Sequence, residues 1–492
     1  MTTAGIEAVA ALVAAAGVGG RRLREAVQRL TDGPQHLDDL IRDTALPRRT
    51  IEALLRAAGP DLHEAAGGRA ALAPDTVIEY RTRFRTTPVP STDHALTARM
   101  QDLIDAAPPA RAALDHVSAT AETAARRALW LDATYDLAGA HLLCVGDHDL
   151  TSLAVALRRE DCRISVVVVD DRLLAYLDEA ATAHRRRIDV WHADLRFGLP
   201  PALAGAADLI FTDPPYTPAG VQLFLGRGLQ GLRDRTNGRL LLSYGFSPLT
   251  PAIGVKVQRA VLDLDLAVEA MLPGFNRYHG AQAVGSASDL YVCRPTARTW
   301  QILDRKLSTA ALNVYTHGGQ SEEGGPAAGR DELAPLFDGS LRASEVAANL
   351  ADDPGSWLLR ALLSVNAQRV ELVVPNHHPD LVDAAAQAAL RELVAPKYTL
   401  KIRRSVPGPK LATVVAEAVD DDGSVARWLL THAHGKLGNV LREALNRRDP
   451  ALTKNAARAL AVQLVPREPV REGRLLDLPR HLIGPATRVG DA

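Results

Sequence analysis

The chain has 492 residues, 47% of them hydrophobic, which is enough for about three domains with buried cores. With 57 lysine and arginine residues against 58 acidic residues, it lacks the basic excess that binding to a nucleic-acid backbone usually brings. Three scattered cysteines predict reduced core thiols, and the apolar run 8–18 is shorter than the ~20 residues of a membrane span. We therefore expect a cytoplasmic protein with no membrane partner.

The first 90 residues predict helices followed by a short hairpin. Apolar residues recur at helical spacing on both sides of Pro47, which opens the second of two adjacent helices. Gly67 and Gly68 then mark a hairpin turn. This order predicts a winged-helix domain over residues 1–90.

Two roles remain open for this domain. In a DNA-binding role, Arg48 and Arg49 would begin the recognition helix. In the other role, the domain serves packing or dimerisation. The acidic residues scattered through the same helices favour the second role, because they dilute the basic face that phosphate contacts need.

Strands and helices alternate from His141 onward. Short, almost entirely apolar strands between amphipathic helices predict a Rossmann-like, doubly wound parallel sheet over residues 91–300. Residues 301–492 predict a smaller α/β domain of unknown role. It would begin with the glycine-rich loop 316–332, continue through a helical region and a strand-helix-strand-strand pattern, and end in two helices. The fold class is thus α/β in three domains.

The loop after the first strand of this sheet is acidic. Gly146 is followed by Asp147, His148 and Asp149, in place of the glycine-rich loop that cradles a pyrophosphate. Carboxylates here would repel a pyrophosphate, so they predict a cationic ligand such as a sulfonium compound or a polyamine. In the alternative interpretation, the acids merely cap the helix that starts at Leu150.

A second motif follows the fourth strand. Asp213, Pro214, Pro215 and Tyr216 would face the acidic loop, because parallel strands end at the same edge of the sheet. The carboxylate and a proline-flanked carbonyl can accept hydrogen bonds from an amine, and the tyrosine ring can cover it. The motif therefore predicts chemistry at nitrogen, with a rigid strand-exit turn as the alternative.

Three further acids suggest a nucleoside site. Asp170 or Asp171, after the second strand, would bind ribose hydroxyls, and Asp194, after the third strand, would accept a hydrogen bond from an adenine amino group. Each acid alone is weak support, since acids also cap helices.

The segments "GDHDLTS", "DPPYTPAGVQLFLGRGL" and "DHVSATAETAARRALWL" resemble the branched-chain polyamine synthases, the N(4)-bis(aminopropyl)spermidine synthases of thermophiles. The likeness covers roughly residues 23–294. It implies a winged helix before a Rossmann-like catalytic domain, and commonly a dimer. It also implies transfer of aminopropyl groups from decarboxylated S-adenosylmethionine to the secondary amine of spermidine, with release of 5′-methylthioadenosine.

The resemblance also implies residue roles. Gly146, Asp147 and Asp149 match a Gly-Asp-Asp-Asp motif, whereas His148 replaces its middle acid, so that either an imidazole serves as base or the acceptor differs. We expect Asp149 to be the base. Asp147 and Asp213 would position the amine. The expected substrate-binding residues are Pro214, Tyr216, Thr217, Asn276 and Tyr278.

Two other functions remain open. The Asp-Pro-Pro-Tyr motif is also typical of S-adenosylmethionine-dependent N-methyltransferases, which would act on a nucleic-acid base or a small amine. A ligand-sensing transcriptional regulator is the second alternative. No metal is predicted, because the histidine pairs 377–378 and 432/434 have no convincing third ligand nearby.

Overall fold

The computed structural model describes residues 4–308, 313–316, 330–351 and 357–489. The N-terminal region consists of helices and one hairpin: α1 (Ala4–Ala15), α2 (Arg21–Asp32), α3 (Leu37–Thr44), α4 (Arg48–Ala58), β1 (Leu62–Ala65), β2 (Arg69–Leu72) and α5 (Val77–Arg83). Strands β1 and β2 pair antiparallel, and the turn between them has positive φ at both Gly67 and Gly68. Helices and hairpin follow each other in the expected order, and their assignment to the winged-helix fold stays a prediction.

Helix α4 begins with the two arginines that would read DNA. Both side chains are exposed, and Arg48 lies 2.9 Å from Asp38 and 3.6 Å from Glu52. These ion pairs reduce the positive charge that α4 offers to a phosphate backbone.

The central region is a seven-stranded sheet with helices on both faces. In chain order its elements are α6 (His94–Ala106), α7 (Ala121–Thr134), β3 (His141–Val145), α8 (Thr151–Arg158), β4 (Arg163–Val168), α9 (Asp171–Ala183), β5 (Asp189–His192), β6 (Leu209–Thr212), α10 (Pro218–Gly231), β7 (Arg239–Tyr244), α11 (Pro251–Asp263), β8 (Leu266–Arg277), β9 (Ala287–Pro295) and α12 (Ala297–Ser308). The strand order is β5-β4-β3-β6-β7-β9-β8.

The sheet is mixed, which corrects the prediction of a parallel one. Strands β5, β4, β3, β6 and β7 are parallel, but β9 is antiparallel to β7 and β8 is antiparallel to β9. Antiparallel neighbours need only a short connection, so β8 and β9 follow each other without a crossover helix. The sequence did not predict β8, because Pro273 and Gly274 interrupt it, and its register shifts between Leu272 and Asn276.

Helix α12 packs on α10, so it belongs to the central region. The predicted domain boundary at residue 300 falls inside this helix. The boundary at residue 90 falls in the connection between α5 and α6.

A second sheet lies in the C-terminal region. Its elements are α13 (Arg330–Asp338), β10 (Glu345–Asn349), α14 (Trp357–Ser364), β11 (Arg369–Pro375), α15 (Ala384–Val394), β12 (Tyr398–Arg404), β13 (Leu411–Ala418), α16 (Val425–Thr431), α17 (Leu437–Arg448), α18 (Lys454–Leu464), α19 (Glu468–Glu472) and α20 (Arg480–Arg488). The strand order is β10-β11-β13-β12, with β10 parallel to β11 and the other pairs antiparallel.

This region differs from its prediction in two ways. Strand β10 lies in the segment expected to be helical, and the closing helices after β13 are five, α16 to α20, rather than two. Most of the predicted glycine-rich loop 316–332 lies outside the described residues. The three cysteines are buried and unpaired, as expected. Across the described residues, no helix is both long and apolar enough to cross a membrane.

Candidate active site

A cavity of about 490 Å³ opens at the carboxyl ends of β3, β4 and β6. This is the edge where ligands bind in open α/β sheets. Its volume lies within the usual range for small-molecule sites. The predicted site residues that line it are Gly146, Asp147, His148, Asp149, Asp194, Asp213, Pro214, Tyr216 and Tyr278.

The loop after β3 turns sharply into α8. Gly146 has φ of 78°, and a Cβ there would lie 3.4 Å from the ring of Phe224, so glycine suits both the backbone and the close approach. Asp147 accepts hydrogen bonds from the backbone N–H of Ser152, at 3.1 Å, and from its hydroxyl. Asp147 therefore caps the first turn of α8. Burial raises the pKa of Asp147 to about 7 although both hydrogen bonds from Ser152 oppose it.

Arg127 of α7 is the centre of the site. Its guanidinium is fully buried and donates to Asp149, and to Asp213 at 2.9 Å. It also donates to the hydroxyls of Thr151 and Ser243, at 2.9 and 3.1 Å. A buried cation requires such compensation by nearby carboxylates and hydrogen bonds.

The sequence analysis did not select Arg127, although its place in the segment "AARRALW" indicates a buried charge. Arg127 shares the buried face of α7 with Ala124, Ala128 and Leu131, where a charged residue is unexpected. An arginine on the apolar face of an amphipathic helix indicates a buried ion pair.

The hydrogen bonds of Asp149 oppose a role as the base. One carboxylate oxygen accepts from Arg127, and the other accepts from the backbone N–H and the hydroxyl of Thr151, at 3.3 and 3.0 Å. The side chain is only 4% exposed. A carboxylate with both oxygens engaged by donors is a poor acceptor for a proton from substrate.

Asp213 is better placed to meet a substrate. Its side chain is 16% exposed. Its Oδ2 accepts from Arg127 and, at 2.6 Å, from the hydroxyl of Tyr278. Among the described residues, both hydrogen bonds reach Oδ2, and none reaches Oδ1. Oδ1 thus retains its capacity to accept a hydrogen bond from a ligand.

Two tyrosines extend this network along the cavity. The hydroxyl of Tyr216 lies 3.2 Å from that of Tyr278, and its ring packs edge-on against Tyr244, with centroids 5.3 Å apart. Burial raises the pKa of both Tyr216 and Tyr278, so the phenols stay protonated. Tyr216 is thereby held against the cavity, beside Pro214.

Two residues predicted to bind substrate do not line the cavity. Thr217 caps α10 by accepting from the backbone N–H of Gly220 at 2.9 Å, and it donates to the carbonyl of Val314 at 2.8 Å. Asn276 is fully buried behind the site and accepts from Arg127 at 2.8 Å. Both side chains support residues that do line the cavity.

His148 stacks on a partner that the sequence did not reveal. Its ring lies 4.5 Å from that of His116, with an angle of 13° between the planes. Burial lowers the pKa of His148 to about 4 and that of His116 to about 3, so both imidazoles are neutral at neutral pH. His148 Nε2 lies 3.4 Å from the hydroxyl of Ser118. With so low a pKa, the imidazole of His148 is a weak base at this position.

The three acids expected to bind a nucleoside fall into different surroundings. Asp194 lines the cavity and is bonded by the backbone and guanidinium of Arg196. Asp170 caps α9 and pairs with Arg172 at 2.7 Å, and its pKa is low although burial opposes this. Asp171, the other candidate for the ribose hydroxyls, faces the C-terminal region, where Arg360 donates to it at 2.9 Å.

The segment 313–316 closes one wall of the cavity. Val314, Tyr315 and Thr316 line it, and the backbone N–H of Thr316 donates to Asp115 at 2.7 Å. The sequence contained no signal for this contact, which joins positions 201 residues apart.

The histidines weighed as metal ligands have other contacts. His378 accepts from the backbone N–H of Asp380, His432 stacks on Trp428, and His434 lies 2.9 Å from the hydroxyl of Ser364. In the described parts of the chain, no group of three His, Cys, Asp or Glu side chains could hold a metal ion.

The central region is similar to a known protein family. Residues 95–304 match the family model of the branched-chain polyamine synthase A C-terminal domain. The match begins in α6 and ends inside α12, so it includes the acidic loop, Arg127 and the Asp-Pro-Pro-Tyr motif. The resemblance predicted from the sequence is confirmed.

The chain also resembles individual proteins. It is 34% identical over 189 residues to an uncharacterized protein of Methanocaldococcus jannaschii, covering 38% of this chain and 47% of that protein. It is 31% identical over 186 residues to the N(4)-bis(aminopropyl)spermidine synthase of the same organism, covering 37% of this chain and 53% of that enzyme. The chain thus spans about half the length of these curated relatives.

Among solved structures, the branched-chain polyamine synthase of Thermus thermophilus, in complex with N4-aminopropylspermidine and 5′-methylthioadenosine, is similar to this chain. The alignment has 22% identity and a TM-score of 0.35, and it covers 59% of this chain and 92% of that one.

Proposed function

We propose that the protein is an aminopropyltransferase that moves an aminopropyl group from decarboxylated S-adenosylmethionine to an amine and releases 5′-methylthioadenosine. The observation that carries the proposal is Asp213, which Arg127 and Tyr278 hold through Oδ2 at the edge of the cavity, in a region that matches the branched-chain polyamine synthase family model. The domain match supports the reaction class, and the acids support a cationic substrate.

The acidic side chains that line the cavity favour this cationic donor. The carboxylates among the described lining residues outnumber the guanidinium groups there, so a sulfonium and an ammonium group are both favoured. Apolar side chains such as Leu195, Leu223 and Phe224 offer a surface on which a nucleoside can pack.

The reaction requires an amine in its free-base form. The lone pair of the amine nitrogen attacks the propyl carbon next to sulfur, the carbon–sulfur bond breaks, and its electron pair stays on the departing thioether. The amine then carries an extra proton, which we assign to Asp213 Oδ1. Tyr278 and Arg127 hold Asp213 in place, and Tyr216 covers the amine.

Asp149 has a positioning role in this proposal. It accepts from Nη1 of Arg127, whereas Asp213 accepts from Nη2, so we assign Asp149 to holding the guanidinium in place. Asn276 anchors the same guanidinium through its Nε.

The experiment is a paired incubation of the protein and an amine with either decarboxylated or ordinary S-adenosylmethionine, followed by mass spectrometry of the amine and the nucleoside. Aminopropylated amine with methylthioadenosine supports the proposal. Methylated product from ordinary S-adenosylmethionine would instead indicate an N-methyltransferase. Unchanged ligand with promoter binding would indicate a regulator.

Two variants separate the roles of the acids. Asp213→Asn should lower kcat by about 100-fold or more, because it removes the proton acceptor. It also takes one anionic partner from Arg127, so kcat is measured under conditions where the unfolding curve shows the variant to be folded. Asp149→Asn should lower the free energy of unfolding by about 3 kcal/mol, because it leaves the buried Arg127 with one anionic partner fewer. Full kcat in Asp213→Asn, measured by methylthioadenosine release, would exclude Asp213 as the acceptor.

A further inference from the structure

One wall of the cavity comes from outside the part of the chain that matches the family model. That match ends at residue 304, whereas Val314, Tyr315 and Thr316 line the cavity from further along the chain. Tyr315 is the aromatic residue among them, and it is only 6% exposed. The cavity is therefore completed by residues that do not belong to the matched region.

Contacts on both sides of Tyr315 fix its position. The carbonyl of Val314 accepts from the hydroxyl of Thr217 at 2.8 Å. Thr316 donates its backbone N–H to Asp115 at 2.7 Å, and its hydroxyl donates to the same carboxylate. A side chain whose neighbours are bonded in this way is held in place before a ligand binds.

The lining of the cavity divides into a polar part and an apolar part. In the polar part, Asp213 and Tyr278 are hydrogen-bonded to each other and to Arg127. The apolar lining residues that share one buried cluster with Tyr315 are Leu114, Leu195, Leu223 and Val314. A ligand with a charged part and a flat apolar part therefore fits with its flat part beside this cluster.

Helix α10 supports the apolar part at two points. The threonine that caps this helix bonds Val314, and Arg227, farther along the helix, donates to the carbonyl of Leu195 at 2.7 Å. Leu223 lies between these positions on the same helix and lines the cavity. One rigid element thus holds both the segment of Tyr315 and the loop after β5, so the apolar part needs little reorganisation to bind a ligand.

The purine of the proposed donor matches this apolar part. Decarboxylated S-adenosylmethionine carries an adenine ring, whereas an aliphatic polyamine carries no ring. In the proposed function the reacting amine lies at Asp213, which leaves the apolar part for the nucleoside. Leu195 directly follows Asp194, the acid expected to bind the adenine amino group, so the base would lie at the loop after β5.

We infer that the ring of Tyr315 packs against the adenine ring of the donor, so that a residue outside the matched family region helps to bind the nucleoside. This inference rests on the proposed function. Aromatic rings in contact gain affinity beyond the area that they bury. A contact that is equally strong before and during the reaction lowers the KM for the donor and leaves kcat unaltered.

The test measures binding and turnover with the full chain. Calorimetric titration with 5′-methylthioadenosine gives the Kd of the nucleoside without any reaction. Turnover with decarboxylated S-adenosylmethionine and either spermidine or 1,4-diaminobutane, whichever reacts faster, gives kcat and the KM values of donor and amine.

Two variants of Tyr315 test the role of the ring. Tyr315→Ala should raise the Kd of methylthioadenosine and the KM of the donor by about tenfold or more, the effect of losing one buried aromatic contact. Its kcat and the KM of the amine should stay within about threefold of wild type. Tyr315→Phe is the matched control, and all its constants should stay within about threefold of wild type because it keeps the ring.

A further measurement needs only the wild-type protein. Hydrogen exchange in segment 313–316 should slow by about tenfold at a methylthioadenosine concentration ten times its Kd, because a ligand that covers the segment opposes its local opening. This result tests the inference even where thermal unfolding shows that a variant is not folded.

The outcomes separate the two proposals. Unchanged nucleoside Kd and donor KM in Tyr315→Ala, or unchanged exchange in segment 313–316, would overturn the inference, and aminopropyl transfer would leave the proposed function standing. Equal losses in the alanine and phenylalanine variants would also overturn it, since the ring would not be the source of affinity. A rise in the KM of the amine alone would overturn it by placing Tyr315 beside the acceptor. No aminopropyl transfer to any amine would overturn the proposed function, and the inference with it.

Discussion

Arg127 determines how the acids around it behave. Its guanidinium lies between Asp149 and Asp213, so these side chains form an ion-paired cluster rather than a set of free carboxylates. Charge that is already compensated in the folded protein is not available to hold a polycation. A residue on α7 therefore reduces the negative charge that the two strand-end motifs offer to a ligand.

Asp147 makes the stability of the folded protein depend on pH. Burial raises its pKa from 3.8 to about 7, so the folded protein binds a proton here that the unfolded chain has released. This bound proton stabilises the folded state. The stabilisation is complete below the pKa that Asp147 has in the unfolded chain, and it is lost as the pH rises through the folded-state pKa of about 7. The change between pH 5.5 and pH 7 corresponds to about 2 kcal/mol.

Asp147→Asn should abolish this pH dependence, because an amide keeps the hydrogen bonds to Ser152 and does not titrate. Denaturant unfolding at pH 5.5 and pH 8 measures the free energy of unfolding of both proteins. The free energy of the variant minus that of the wild type should rise by about 2 kcal/mol from pH 5.5 to pH 8. Parallel curves for the two proteins would contradict the raised pKa.

At the scale of elements, the start of α10 joins three parts of the chain. Thr217 caps the helix, follows the Asp-Pro-Pro-Tyr turn directly and donates to the carbonyl of Val314. Gly220, in the first turn, lies so close to Val314 that a Cβ would approach its carbonyl oxygen to 2.8 Å. The helix start thus holds segment 313–316 against the cavity.

Thr217→Val should lower the free energy of unfolding by about 1–2 kcal/mol, because it removes the helix cap and leaves the carbonyl of Val314 without its donor. Thr217→Ser is the matched control, since it keeps the hydroxyl and both hydrogen bonds. Chemical denaturation measures both variants. Equal losses in both would show that packing of the threonine methyl group, rather than the cap, provides the stability.

At the scale of the whole molecule, the C-terminal region packs on α9 and the segments beside it. Arg360 donates to Asp171, and to the carbonyls of Leu476 and Leu478 at 3.2 and 2.8 Å. A second contact joins Arg467 to Asp178 at 2.9 Å. Two acids of α9, the helix that follows the second strand of the central sheet, thereby bind the C-terminal region.

Arg360→Met should weaken this contact by about 2 kcal/mol, because Asp171, whose side chain is 17% exposed, would keep the backbone N–H of Arg480 as a donor but lose the guanidinium. Hydrogen exchange of α9 and α14 should accelerate together. Arg369→Met is the control, since the ion pairs of Arg369 lie at the surface of β11 and contribute about 0–1 kcal/mol. Unchanged exchange in Arg360→Met would show that apolar packing alone holds the regions together.

Local patterns in the sequence predicted the central strands, the turn at Gly146 and the position of Asp213 at the end of β6. They did so because hydrophobic periodicity and turn residues act over a few positions along the chain. The same patterns failed for β8, where proline and glycine interrupt the strand, and for β10, which lies in a short segment expected to be helical.

The sequence by itself determined the resemblance to the branched-chain polyamine synthases, the order of the main central elements and the two motifs at the cavity edge. Only the tertiary structure decided which acids are paired. Arg127 and Asp213 are 86 residues apart, and Arg360 and Asp171 are 189 apart. Partners so distant in sequence are selected by packing of whole elements, because a buried charge takes whichever opposite charge the fold brings within reach.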